Sequence, residues 1–305
     1  MFQAFLQTFF SALISLLMLI SPTLPNQIGL PANPAGQSLD LDSRFELVWA
    51  DEFDGTQLDS TKWQSPWWVT ERKGGYWHED LASVKDGNLI ITTAYFDKPL
   101  ENYYYEKWHD TIDFKDYKSG WYSACLTTQD TFEQTYGYFE CRCILPKSTG
   151  MWSAFWMMND GVTKVDGTGK DGTEVDVFES MFYKDVPYGF GDCVQTGVIF
   201  DGYGEASQGV GLGKYNAINP YEEYNTYGVE WNENEYIFYI NGVETCRTSF
   251  GGVSQNPEYL LLSCEVAGSD GVAFADRHGT GKMNMEPGDE AYFIVDYVRV
   301  YQYKN

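Results

Sequence analysis

The 305-residue chain carries 44 Asp and Glu against 20 Lys and Arg, a net charge of −24. Such a surface repels phosphate backbones and sulfated polymers and argues against nucleic acid as a partner. Its three histidines, His78, His109 and His278, stand isolated, so a zinc site or a histidine-based nucleophilic triad lacks material and carboxylates must carry any acid–base chemistry.

From Phe2 to Ile20 most residues are apolar, until Ser21, Pro22 and Pro25 break the run. Residues 1–23 read as a signal peptide or an uncleaved N-terminal apolar anchor, although no Lys or Arg precedes the apolar stretch. Residues 24–43, with Pro25, Pro31 and Pro34 among Asn, Gln, Ser and Gly, have the composition of a disordered linker. Residues 44–305 then form one large domain, a single core being within reach of that length.

After Arg44 the chain breaks into short apolar or alternating runs bounded by Gly, Asn and Asp: Phe45–Trp49, Leu89–Ala94, Tyr138–Leu145, Tyr236–Ile240, Tyr259–Cys264 and Phe293–Tyr301. These read as strands. Asn241-Gly242 is a hairpin signal, because both residues tolerate the positive φ of a type I′ turn. No long segment repeats a 3.6-residue period, so the expected fold is all-β, a two-sheet antiparallel sandwich. Aromatic residues make up 17% of the chain, leaving flat amphipathic rings for a cleft where sugar rings stack. The six cysteines show no C-x-x-C spacing, and buried thiols and disulfides both stay open. Cys141 and Cys143 face the same side of their strand.

The chemistry concentrates in Thr173-Glu-Val-Asp-Val-Phe-Glu179. On a strand, Glu174 and Asp176 share one face while Val175 and Val177 take the other. Glu179 falls on the wrong face unless a one-residue bulge at Val177 or Phe178 restores it. Three carboxylates on one face repel one another and split their pKa values, holding one protonated. A retaining glycosidase needs a carboxylate nucleophile and a carboxylic acid about 5–5.5 Å apart, which neighbouring same-face positions can approach. The bland alternative is a solvated acidic edge strand.

At these residues the sequence resembles glycoside hydrolase family 16, whose bulged signature E-x-D-x-x-E is met by Glu174, Asp176 and Glu179. The likeness extends in order through Phe45–Gly55, Tyr136–Pro146, Gly150–Trp156, Val229–Trp231, Tyr236–Gly242 and Val295–Tyr301. It implies a concanavalin-like jelly roll that cleaves a β-linked polysaccharide internally with retention. Glu174 matches the nucleophile, Glu179 the general acid and base, and Asp176 the residue that tunes the nucleophile. Trp152 and Trp156 match cleft aromatics. No cofactor is implied for catalysis, but a structural calcium is, with Asp296 as ligand and Glu52 and Gly87 as carbonyl donors. One departure stands out: Ile199 and Phe200 occupy a place where many members carry His-Trp, which puts a polar sugar contact there in doubt.

The bulged motif resembles β-1,3-glucanases of laminarinase type, with mixed-linkage glucan also compatible. Agarases and carrageenases share the bulge, but the shortage of Lys and Arg argues against a sulfated galactan. A non-catalytic carbohydrate-binding protein on the same sandwich, or a transglycosylase, are the alternatives. The expectation is a secreted monomer whose partner is a neutral polysaccharide.

Overall fold

A computed structural model describes residues 38–66, 69, 71–101, 117–181, 191–266 and 283–304. The apolar segment 1–23, linker residues 24–37, His109 and His278 lie outside the described residues. Among the described residues no helix is long and apolar enough to cross a membrane.

The described strands are β1 (Phe45–Asp51), β2 (Glu71–Arg72), β3 (Gly75–Trp77), β4 (Ala82–Lys85), β5 (Asn88–Phe96), β6 (Gly120–Ser123), β7 (Cys125–Thr127), β8 (Gly137–Ile144), β9 (Trp152–Met158), β10 (Glu174–Ser180), β11 (Cys193–Phe200), β12 (Gln208–Asn216), β13 (Asn225–Trp231), β14 (Tyr236–Ile240), β15 (Val243–Thr248), β16 (Tyr259–Glu265) and β17 (Glu290–Tyr303). They form two sheets. The larger, of eleven strands, runs β15-β14-β13-β8-β17-β5-β6-β3-β2, with β1 added on β17 and β4 on β5. The smaller, of six, runs β12-β11-β10-β9-β16-β7. Pairing is antiparallel except between β3 and β6, so the expected sandwich is the one observed.

Each run read as a strand from its alternation is one, and Asn241 (φ 50°) and Gly242 (φ 72°) make the two-residue turn between β14 and β15. The strands that neither the alternation, the hairpin signal nor the resemblance pointed to are the two- to four-residue pieces β2, β3, β4, β6 and β7, and the glycine-rich β12. They are too short, or too poor in side chains, for a period of two to register.

The core lies between the sheets, where Phe139, Val229, Trp231 and Phe238 meet Phe155, Met157, Val175 and Leu262. Phe178 of β10 crosses the gap, its ring 4.4 Å from that of Tyr227 and 6.1 Å from that of Phe293. All six cysteines are free thiols, five of them buried.

Residues just before Arg44 already pack on the sandwich. The Leu39 N–H donates to the Gly242 carbonyl at 2.8 Å. Asp40 caps the single helical turn Leu41–Arg44 by accepting from the Ser43 N–H. Arg44 grips the buried Glu230 with both terminal nitrogens, and Tyr239 and Tyr303 donate to the same carboxylate. Leu39 and Leu41 pack beside Phe45. Apolar contact and a buried counter-charge thus hold residues that by composition alone read as linker.

Because Phe178 is fully buried and bridges the two sheets, Phe178→Ala is expected to cost about 3–5 kcal/mol of stability. Chemical denaturation checks this. A loss below about 1 kcal/mol would mean the sheets can close over the gap.

Candidate active site

A cleft of about 670 Å³ lies on the outer face of the six-stranded sheet, floored by β9, β10, β11 and β16 and walled by Pro66, Val69, Arg72, Lys73, Trp77 and Tyr203. Glu174, Asp176 and Glu179 all line it. The pairing register explains how. On β9, Asp176 faces Trp156 and Phe178 faces Phe155, so Val177 is the extra residue. On β11, Asp176 faces Gly197 and Glu179 faces Gln195, three steps against two. The bulge expected at Val177 or Phe178 is present at Val177, and both side chains go to the core. Glu179 therefore returns to the cleft face.

Each acid has different surroundings. Glu179 accepts from the Trp152 indole N–H at 2.8 Å on Oε1 and from the Gln195 amide at 2.8 Å on Oε2. Burial pushes its pKa up to about 7, against these two hydrogen bonds and with the help of the Glu174 charge. Asp176, buried between the other two, is raised well above its ordinary value by burial and then by the charges of Glu179 and Glu174. A side chain on Gly197 would meet the Val210 carbonyl at 3.0 Å and the Asp176 carboxylate at 3.7 Å, so glycine gives this acid its space. Burial also raises Glu174, but the hydrogen bond from the Tyr203 hydroxyl and the charges of Arg72 and Lys73 pull it back.

Trp152 and Trp156 both line the cleft from β9. The Trp156 indole donates to Ser263 at 3.1 Å, and Lys73 sits 5.1 Å over the Trp152 ring. At the same end Arg72 bonds Glu265 at 2.5 Å and lies 5.2 Å over Trp77. Of the residues marking the sequence departure, Ile199 lies opposite Glu174 and lines the cleft, whereas Phe200 turns inward against Phe250. Sequence reasoning missed Tyr203, Gln195, Arg72, Lys73 and Glu265. Only Gln195 and Glu265 lie on strands of the cleft floor, and without a register their side-chain directions could not be assigned. Arg72 and Lys73 come from a two-residue strand and its turn.

Of the residues expected around a calcium, Asp296, the one side-chain ligand, is already paired. Asp296 accepts from Arg142 at 2.5 Å. The Glu52 side chain takes both prongs of Arg299 at 2.8 Å, and Gly87 is the φ 75° residue of the turn between β4 and β5. Among the described residues no three His, Cys, Asp or Glu side chains form a group that could hold a metal. With a guanidinium already on it, Asp296 is not free to ligate a calcium as it stands.

A β-sandwich whose cleft sets Trp152 and Trp156 beside a bulged strand of acids defines a carbohydrate-active class of protein. The comparisons narrow this: the family model described as beta-porphyranase A-D, GH16 domain, matches residues 47–303, and the chain belongs to glycoside hydrolase family 16. It is 27% identical to an endo-1,3-1,4-beta-glycanase of Rhizobium meliloti over 85% of this chain and 52% of that protein. It is 24% identical to a beta-glucanase of Rhodothermus marinus over 85% of this chain and 86% of the relative. In fold it matches the catalytic domain of an endo-1,3-beta-glucanase (laminarinase) from Thermotoga petrophila, with TM-score 0.63 and 24% identity, covering 86% of this chain and 99% of that one. The chain spans about half the length of the Rhizobium glycanase it matches.

The raised acids link stability to pH. A carboxyl whose folded pKa exceeds its unfolded value binds more protons when folded, so its contribution is complete below the unfolded pKa and is lost as pH rises through the folded one. For Glu179 that window runs from the ordinary 4.5 to about 7. Buried Glu258, which accepts from the Thr173 N–H at 3.4 Å and is pushed to about 8, extends it. Stability should fall from pH 5 towards pH 8, and Glu179→Gln should flatten the part below about 7. Denaturation midpoints across that range check this, and equal slopes in both proteins would contradict it.

Proposed function

We propose that the chain is a retaining endo-glycoside hydrolase of a β-linked polysaccharide, with β-1,3-glucan or mixed-linkage β-1,3-1,4-glucan as substrate. The observation that carries this reading is the bulge at Val177, which sets Glu179, held half-protonated near neutrality, on the same cleft face as Glu174. Glu174 attacks the anomeric carbon as the glycosidic bond breaks, and the Glu179 proton goes to the leaving oxygen. Glu179, now a carboxylate, takes a proton from water, whose oxygen displaces Glu174 and frees the sugar with its configuration retained. Asp176, kept protonated by burial and then by the charges of Glu179 and Glu174, is suited to donate to the nucleophile as charge moves. Trp152 and Trp156 are suited to stack the sugars on either side of the scissile bond.

The glucan reading is supported by the names of the Rhizobium and Rhodothermus relatives. A galactan is the second reading, favoured by the porphyranase character of the family model and by Arg72 and Lys73 at one end of an otherwise acidic cleft. Incubating the full chain with laminarin, lichenan, agarose and porphyran, and following reducing ends, separates them. No cleavage of any would overturn the enzyme reading, while products longer than the substrate would indicate transglycosylation.

Glu174→Gln should lower kcat by at least about 10⁴-fold. For Glu179→Ala, azide should restore turnover of an activated aryl glycoside and give the β-glycosyl azide, whereas an α product would exchange the two roles. The same reading places the protein outside the cell as a monomer, its apolar N-terminal segment directing export. No metal takes part in the reaction. A structural calcium would have to displace Arg142 from Asp296, so calcium and EGTA should give the same Tm, and a rise with calcium would place the ion there.

A further inference from the structure

The geometry points to Tyr203 as the positioning residue for the Glu174 carboxylate, holding Oε2 from the loop after β11 so that the other oxygen is free to attack. This rests on the nucleophile role proposed for Glu174. The strand itself cannot supply the contact: the residue opposite Glu174 on β11 is Ile199, which has no polar side-chain atom. The hydroxyl arrives instead from beyond the strand end.

The loop is built for this. Asp201 (φ 60°) and Gly202 (φ 75°) take left-handed conformations that reverse the chain immediately after Phe200. The buried Asp201 carboxylate accepts the backbone N–H groups of Asp166 and Gly167 at 3.1 Å, and the Gly202 N–H donates to the Val162 carbonyl at 2.6 Å. Thus anchored, Tyr203 donates its O–H to Glu174 Oε2 and lies 3.7 Å from the Met158 sulfur. A donor on a carboxylate favours the charged form, and only the charged form is a nucleophile. Burial of the hydroxyl and the Glu174 charge both raise the Tyr203 pKa, so it remains a donor throughout the working range. Tyr203 is 58% exposed, so the fold gains little from its ring and loss of the hydroxyl alone leaves the core untouched.

Tyr203→Phe in the full chain tests this in two ways. In a carboxyl ¹³C NMR titration assigned with Glu174→Gln, the Glu174 midpoint should rise by about one pH unit, the worth of one hydrogen bond to a charged group. In kinetics, kcat should fall about tenfold with KM within about twofold, and the acid limb of the pH–rate profile should move up by the same unit. The alkaline limb, which follows the Glu179 proton, should stay in place, as should the Tm. An unchanged Glu174 titration overturns the assignment whether or not a substrate is found. Turnover lost without movement of the acid limb overturns it too. A wild-type chain that cleaves nothing overturns the hydrolase reading instead, and the titration still judges Tyr203.

Discussion

Everything at the cleft depends on one unpaired residue. Val177 is inserted into β10 against both neighbours, and that insertion changes the phase of the strand between Asp176 and Glu179. Without it the period of two would send Glu179 into the apolar layer beside Val175, where an unpaired carboxyl is costly. The bulge is stable because both residues in its span, Val177 and Phe178, are apolar and both reach the core. Phe178 locks the shifted segment by stacking on the opposite sheet. The acids are thus placed by hydrophobic packing on the far side of the same strand, and chemistry and stability are tied to one local irregularity.

How much of this the sequence disclosed follows from what a period of two can carry. Long strands with clear alternation, such as Tyr236–Ile240 and Phe293–Tyr301, were readable because burial on one face leaves a mark in residue type. The bulge was readable as well, since three acids spaced two and then three apart can share a face only if one residue is added. The walls of the cleft were not. Arg72 and Lys73 belong to a hairpin too short to show a pattern, and Glu265 looks like the polar end of an apolar run until its pairing with Trp152 places it in the cleft. The packing of residues 39–43 on the sandwich was not legible because Leu39 and Leu41 are isolated apolar residues in a polar stretch. Their partners, Gly242 and the Phe45 cluster, are distant in sequence or appear only on folding.

The resemblance and the geometry agree on the family and diverge on detail. Ile199 stands where a polar residue would be usual, and the sequence alone casts doubt on the contact. In the fold the same strand still serves the site, through Gln195 four residues away and through the loop that follows it. Similarly, Asp296, which the resemblance implied as a calcium ligand, is paired with Arg142, whose guanidinium also lies 4.3 Å over the Tyr224 ring. A conserved-looking position thus does not fix its partner; the neighbours across the sheet do.

The three acids differ chiefly in what surrounds them, and this asymmetry separates their roles. Burial raises the Glu174 pKa, but Glu174 alone has a hydroxyl donor and two cations, Arg72 and Lys73, that act against that rise. Glu179 receives only neutral donors, which orient it without cancelling the effect of burial, and it titrates near neutrality. Asp176 sits between two like charges and is the most strongly held in its neutral form. Arg72 and Lys73 could act as a bare cationic patch in so acidic a protein, but both also face Glu265, at 2.5 and 3.8 Å. That pairing limits their attraction for anions in solution while leaving their field on Glu174. A chain with a net charge of −24 therefore places its few cleft cations where they oppose the effect of burial on one particular carboxylate.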